Sequence, residues 1–103
     1  MIRLVLTTFA NAEDAAKAVR TLVDEHFVAC GTIFQGARSI YRWKDTIEDS
    51  GEAVVLLKTS VERFPALEEK LRAIHPYETP EIIAFDPAAA SKEYAAWVIE
   101  CTL

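Results

Sequence analysis

Between Phe27 and Thr59 the sequence carries two long strand-like stretches with almost nothing between them. Phe27–Trp43 is the first, and Thr46 to Thr59 returns after Lys44–Asp45, a pair suited to a two-residue turn. The first stretch alone spans 17 residues, about 56 Å if extended at ~3.3 Å per residue. The whole chain has 103 residues, and a globule of that length is roughly 34 Å across. The hairpin must therefore bend, project from the body, or both. Gly36, within Gln35–Gly36–Ala37–Arg38, and Gly51, within Asp49–Ser50–Gly51, are expected to mark two facing irregularities. The tip carries Ile40, Tyr41, Trp43 and Ile47. On a bare two-stranded ribbon these would form an exposed apolar patch with open edges, which monomers avoid. The hairpin thus predicts an oligomer in which a neighbouring copy covers the tip. Cover by the chain's own C-terminal helix is the alternative.

The rest of the chain alternates strand and helix. Ile2–Phe9 is apolar and β-branched, and reads as a strand. Asn11 offers an N-cap to a helix whose apolar face is Ala12, Ala15, Ala16, Val19, Leu22 and Val23. After the hairpin, a helix beginning near Ser60 carries the stripe Phe64, Leu67, Leu71 and Ile74. His75–Pro76 ends it, because a residue before proline is driven out of helical geometry. Ile82–Phe85 is a fourth strand, and Ser91 caps a last helix with Tyr94, Ala95, Trp97, Val98 and Cys101. The order β-α-β-β-α-β plus a C-terminal helix places residues 1–103 in one α+β domain. It is the split β-α-β, ferredoxin-like plan, with an antiparallel four-stranded sheet and helices on one face.

Charge and motifs narrow the function. Lys and Arg number 11 against 16 Asp and Glu, a formal net charge of −5. That balance disfavours nucleic acid and anionic membrane surfaces. No apolar run approaches a membrane span, and the first residues lack the pattern of a secretory signal, so the expected location is cytoplasmic. Cys30 and Cys101 are not in Cys-x-x-Cys spacing. Phosphate-binding Gly-rich loops, Gly-x-Ser-x-Gly elbows and His-Glu-x-x-His motifs are missing. The expectation is a protein that is not an enzyme and has no obligatory cofactor.

The densest group of functional side chains runs from His75 to Glu81, between Pro76 and Pro80. His75, Glu78 and Glu81 are candidate nitrogen and oxygen ligands for a divalent metal. The alternative is structural: His75 terminates a helix, Tyr77 packs, and the prolines set the path of the loop. Tyr41 and Trp43 lie two apart, hence on one strand face, as pocket wall or as interface packing. Cys30 sits in an apolar stretch and reads as a small hydrophobe, with a place in an intersubunit cleft as the alternative. Lys58, amid apolar residues, needs a partner or a route to water. Glu78 or Glu81 across an intersubunit cleft would supply the partner. Glu48, Asp49 and Glu52 read as solvated acidic surface.

With these residues placed, the sequence resembles the CutA family of divalent-cation tolerance proteins. The matching segments are Leu4–Thr8, Ala29–Cys30, Ser39–Ile40–Tyr41–Arg42–Trp43, Val55–Thr59, Phe64–Leu67 and His75–Pro76–Tyr77–Glu78–Thr79–Pro80–Glu81–Ile82. They run in the family's order along nearly the whole chain. The Ser-x-Tyr-x-Trp segment followed by His-Pro-Tyr-Glu-x-Pro-Glu is the specific joint signal. The resemblance implies a homotrimer of ferredoxin-like protomers with long hairpins around a threefold axis, a plan similar to that of the PII signalling proteins. It implies a role in tolerance to copper and other divalent metals, with Cu2+ or another divalent cation as ligand. A trimeric signalling or scaffold module that binds a small ligand or protein partner in its intersubunit clefts is the alternative. This chain departs from the family pattern at Thr32, where Asn is common, and at Asp45, where the turn usually holds Gly. The family's copper-binding pattern uses a Cys in the first strand and a His just before the His-Pro. Thr7 and Ile74 stand there, leaving only His75 of that trio.

Overall fold

The computed structural model describes residues 1–103. Strand β1 (Ile2–Phe9) leads into helix α1 (Ala12–Asp24), then into the hairpin of β2 (Cys30–Trp43) and β3 (Thr46–Ser60). Helix α2 (Phe64–Ile74), the short strand β4 (Ile83–Phe85) and helix α3 (Lys92–Cys101) complete the chain. The sheet order is β2-β3-β1-β4, with every neighbouring pair antiparallel. This is the mixed α+β, four-stranded arrangement read from the sequence.

Strand alternation sorts the residues onto two faces. Val5, Thr7 and Phe9 pair with Leu57, Val55 and Ala53 and share one face. Ala15, Ala18 and Leu22 of α1 and Leu67 and Leu71 of α2 close over it, forming the main core. Ile2, Leu4, Leu6 and Thr8 lie on the other face. Val98 of α3 packs there against Ile2 and Ala29. The expectation of all helices on one face is thus corrected: α3 crosses to the second. Its 10 residues extend about 15 Å, too little to cover that face. Phe34, Ile83 and Phe85 stay 53%, 53% and 44% exposed there.

The hairpin projects. The molecule measures 44 × 26 × 21 Å, and the hairpin tip is bare within the protomer. Ile40 is 64% exposed and Ile47 58%. Helix α3 sits against Ile2 and Ala29, at the other end of the sheet, so the chain's own C-terminal helix does not cover the tip. Lys44 and Asp45 form the turn with φ of 50° and 68°, the left-handed pair that matches strand twist in a two-residue hairpin. Asp45 therefore adopts the conformation for which the family uses Gly.

Three features differ from the sequence reading. Phe27–Ala29 is not strand: His26 turns left-handed at φ 63°, and Leu22 O accepts from both Phe27 N–H and Val28 N–H as α1 unwinds. The guanidinium of Arg63 stacks 4.5 Å from the Phe27 ring and fixes that turn. Helix α2 begins at Phe64, not near Ser60, because β3 pairs with β1 as far as Ser60. The expected facing bends reduce to one. The register shifts between Phe34 and Ala37 at Gly36, whose φ is +80°. Gly51 sits in unbroken register opposite Arg38, where a bidentate Arg38–Asp49 pair at 2.8 and 2.7 Å crosses the ribbon diagonally.

The two glycines should respond oppositely to alanine. Gly36→Ala forces a side chain into left-handed backbone and is expected to cost about 1–2 kcal/mol. Gly51→Ala meets only the Ala37 carbonyl oxygen, at an ordinary van der Waals distance of 3.8 Å, and is expected to gain about 0.5–1 kcal/mol by strand propensity. Urea denaturation of both variants checks the sign difference.

Candidate functional site

The loop after α2 is held by one imidazole. The His75 side chain is buried, 7% exposed, and its ring stacks on Phe9 with centroids 4.3 Å apart. Nδ1 lies 3.1 Å from the Tyr77 backbone N–H, which can only donate, so Nδ1 accepts. Nε2 lies 2.8 Å from the Thr8 carbonyl, which can only accept, so Nε2 carries the hydrogen. The geometry selects the neutral Nε2–H tautomer and occupies both ring nitrogens. Burial, the largest cause, pushes the His75 pKa below its ordinary value, against the opposing effects of the Thr8 bond and the Glu52 charge.

Tyr77 continues the lock. Its hydroxyl donates to Glu52 Oε2 at 2.8 Å, tying the loop to β3. Burial first, then the Glu52 bond and charge, pushes the phenol well above its ordinary pKa, so it remains a donor.

The loop and the outer half of the hairpin enclose a cleft of about 840 Å³. Tyr41, Trp43, Tyr77, Glu78 and Glu81 line it together, as do Thr8, Glu48 and Glu52. Tyr41 and Trp43 share the ribbon face on which Ser39, Ser50 and Glu52 lie. Four glutamates face the cleft and no Lys or Arg lines it. Lys44, on the rim, comes within 3.8 Å of Glu78 and 5.5 Å of the Trp43 ring centroid. Both charged groups of that pair are largely exposed, so solvent screens it.

The predicted site residues thus divide into three groups. Tyr41, Trp43, Tyr77, Glu78 and Glu81 meet in one cleft. His75 stands behind its wall, with no free nitrogen for a ligand. Cys30 and Lys58 lie at the far end of the sheet, opposite Leu4 in the paired register. Within the protomer Lys58 donates to Thr32 Oγ1, not to Glu78 or Glu81. Cys30 Sγ lies 3.5 Å from the Tyr94 hydroxyl, and that contact, ahead of burial, pushes the Tyr94 phenol up to about 12. The sequence reading missed Glu52 as the partner of Tyr77. Its clue was strand parity: Glu52, Ser50 and Glu48 alternate onto the Tyr41 and Trp43 face, while Asp49 falls on the other and pairs with Arg38.

The family's copper trio does not fit these residues. Thr7 is wholly buried with its hydroxyl unpartnered, Ile74 packs on the main core, and both His75 nitrogens are engaged. No three His, Cys, Asp or Glu side chains converge as a metal centre.

Comparison with known proteins gives a consistent answer. The family model described as CutA1 divalent ion tolerance protein matches residues 3–101. The divalent-cation tolerance protein CutA of Thermus thermophilus is 39% identical over 102 residues, covering 99% of each chain. The crystal structure of divalent ion tolerance protein CutA1 from Ehrlichia chaffeensis superposes with a TM-score of 0.94 at 37% identity, covering 99% of this chain and 95% of its own. CutA from Archaeoglobus fulgidus superposes at 0.95 with 28% identity over 100% of both chains, and is described as a periplasmic divalent cation tolerance protein. This last finding overturns the cytoplasmic location expected from the sequence. No helix is long and apolar enough to cross a membrane.

The His75 lock makes stability depend on pH. The folded protein holds the ring neutral with a pKa below the usual 6.5, so the unfolded chain binds the extra proton first. The contribution is complete above about pH 6.5 and is lost as pH falls from there towards the lowered folded value. Thermal midpoints from about pH 8 to 5 should decline, and His75→Gln should flatten the decline while costing about 1–3 kcal/mol at neutral pH. An equal decline in both proteins would remove His75 as its cause.

Proposed function

The chain belongs to the CutA1 divalent ion tolerance family, and from that premise we propose that it serves divalent-cation tolerance as a homotrimer. In this reading, cation contact at the cleft is weak and made by carboxylates. The observation that carries the reading is the charge of the cleft: Glu48, Glu52, Glu78 and Glu81 line it and the protomer adds no basic residue, so a single cation contributed by a neighbouring copy leaves a formal excess of carboxylates. Carboxylate oxygens suit hard divalent ions, while copper favours the imidazole and thiolate ligands that this cleft lacks. Glu78 and Glu81 are the exposed donors, and Glu52 is already bonded to Tyr77. His75 positions the loop that carries them.

Assembly is supported by the surface. Phe34, Ile83 and Phe85 on one sheet face, with Ile40, Tyr41, Trp43 and Ile47 on the two faces of the hairpin, are large apolar side chains left exposed, the kind of surface that marks an interaction site. The aromatic walls Tyr41, Trp43 and Tyr77 support a second reading, in which a small ligand or protein partner occupies the cleft and tolerance follows indirectly.

Titration with manganese(II), a hard ion, beside copper(II) and zinc(II) separates these readings. Wild type and His75→Gln should show similar weak, saturable binding, and the double variant Glu78→Gln, Glu81→Gln should lose it. Tight binding that disappears in His75→Gln would contradict the carboxylate reading. Absence of saturable binding in wild type would leave the ligand or partner reading in its place.

A further inference from the structure

We propose that the acidic cleft is completed by Lys58 of a second copy. This rests on the assembly reading above. The strand residues on the open face are Ile2, Leu4, Leu6, Thr8, their β4 neighbours Ile83 and Phe85, and the corresponding positions of β2 and β3. Lys58 is the one cation among them. It pairs across the sheet with Leu4 and Cys30. Its ammonium has one polar side-chain partner, the Thr32 hydroxyl, and forms no ion pair in the protomer. Half-exposed in the single chain, it keeps water. Once another copy covers the surrounding apolar surface, that water is excluded, and an unpaired buried ammonium is strongly unfavourable.

The same face holds the missing counter-charge, out of Lys58's own reach. Glu52 lies six positions away along β3, about 20 Å at ~3.3 Å per residue, and a lysine side chain spans far less. Glu48 and Glu81 have no cationic partner within the chain, and Glu78 has the loose rim contact to Lys44. One end of the face therefore offers a cation in an apolar surround. The other end offers a carboxylate-rich cleft with apolar walls. A copy that lays its Lys58 end across its neighbour's cleft satisfies both, and buries apolar surface on each side. The charge also sets the register, because sliding the copies would strand the ammonium against hydrocarbon.

Zero-length carbodiimide coupling tests this on the intact protein. The reagent activates a carboxylate, the lysine amine displaces the urea by-product, and an amide forms with net loss of water. Light scattering beforehand gives the mass in solution. The expected result is a trimer whose denatured products include covalent dimers, with a peptide joining Lys58 to Glu48, Glu78 or Glu81. Lys58→Arg keeps the positive charge but cannot couple, so it should remain trimeric and lose that peptide. A trimer that couples through other lysines, never Lys58, overturns the proposal and leaves assembly standing. A monomer in solution overturns both.

Discussion

A ribbon of two strands, 14 and 15 residues long, is too long to be buried within a molecule 26 Å across its second axis, and the rest of the structure follows from that mismatch. One sheet face is closed by α1 and α2 into a continuous core. The opposite face receives α3 alone, at the end away from the hairpin. What remains is a stripe of apolar side chains running from Phe85 and Phe34 towards Tyr41 and Trp43. Burying such side chains is worth about 25 cal/mol per Å² of apolar surface removed from water. One copy therefore leaves this apolar stripe uncovered, and covering it is what the proposed assembly would do.

The cleft depends on that geometry and on a single neutral histidine. His75 accepts from one backbone and donates to another, joining the loop after α2 to the end of β1. Phe9 supports the ring from below, and Tyr77 carries the connection on to Glu52. These contacts hold Glu78 and Glu81 opposite the aromatic ribbon. A residue that looks like a metal ligand in sequence thus works as a fixed link between strand and loop.

Much of this was legible before the structure. The element order, the Asn11 and Ser91 caps, the Lys44–Asp45 turn and the irregularity at Gly36 all carry local physical signatures, and each appears where those signatures lie. Gly51 misled because glycine permits a bend without requiring one, and the ladder runs through it in unbroken register beside the Arg38–Asp49 pair. The sequence left His75 open between ligand and structural residue because its partners, the Thr8 carbonyl and the Phe9 ring, are 67 and 66 positions away; no local pattern announces them. Lys58 was recognised as needing a partner, and the protomer supplies only Thr32. The crossing of α3 was not legible either, since its mixed face of Tyr94, Trp97 and Val98 fits an apolar sheet from either side.

Native-state hydrogen exchange tests the central claim most directly. The amides of Ile40–Trp43 lie at the end of a projecting two-stranded ribbon, on the edge strand of the sheet. If a neighbouring copy covers that ribbon, these amides should be protected nearly as strongly as Val54–Leu57 in the body. Exchange at the rate of a fraying hairpin, with Val54–Leu57 still protected, would show that the tip stands free in solution and would contradict the account.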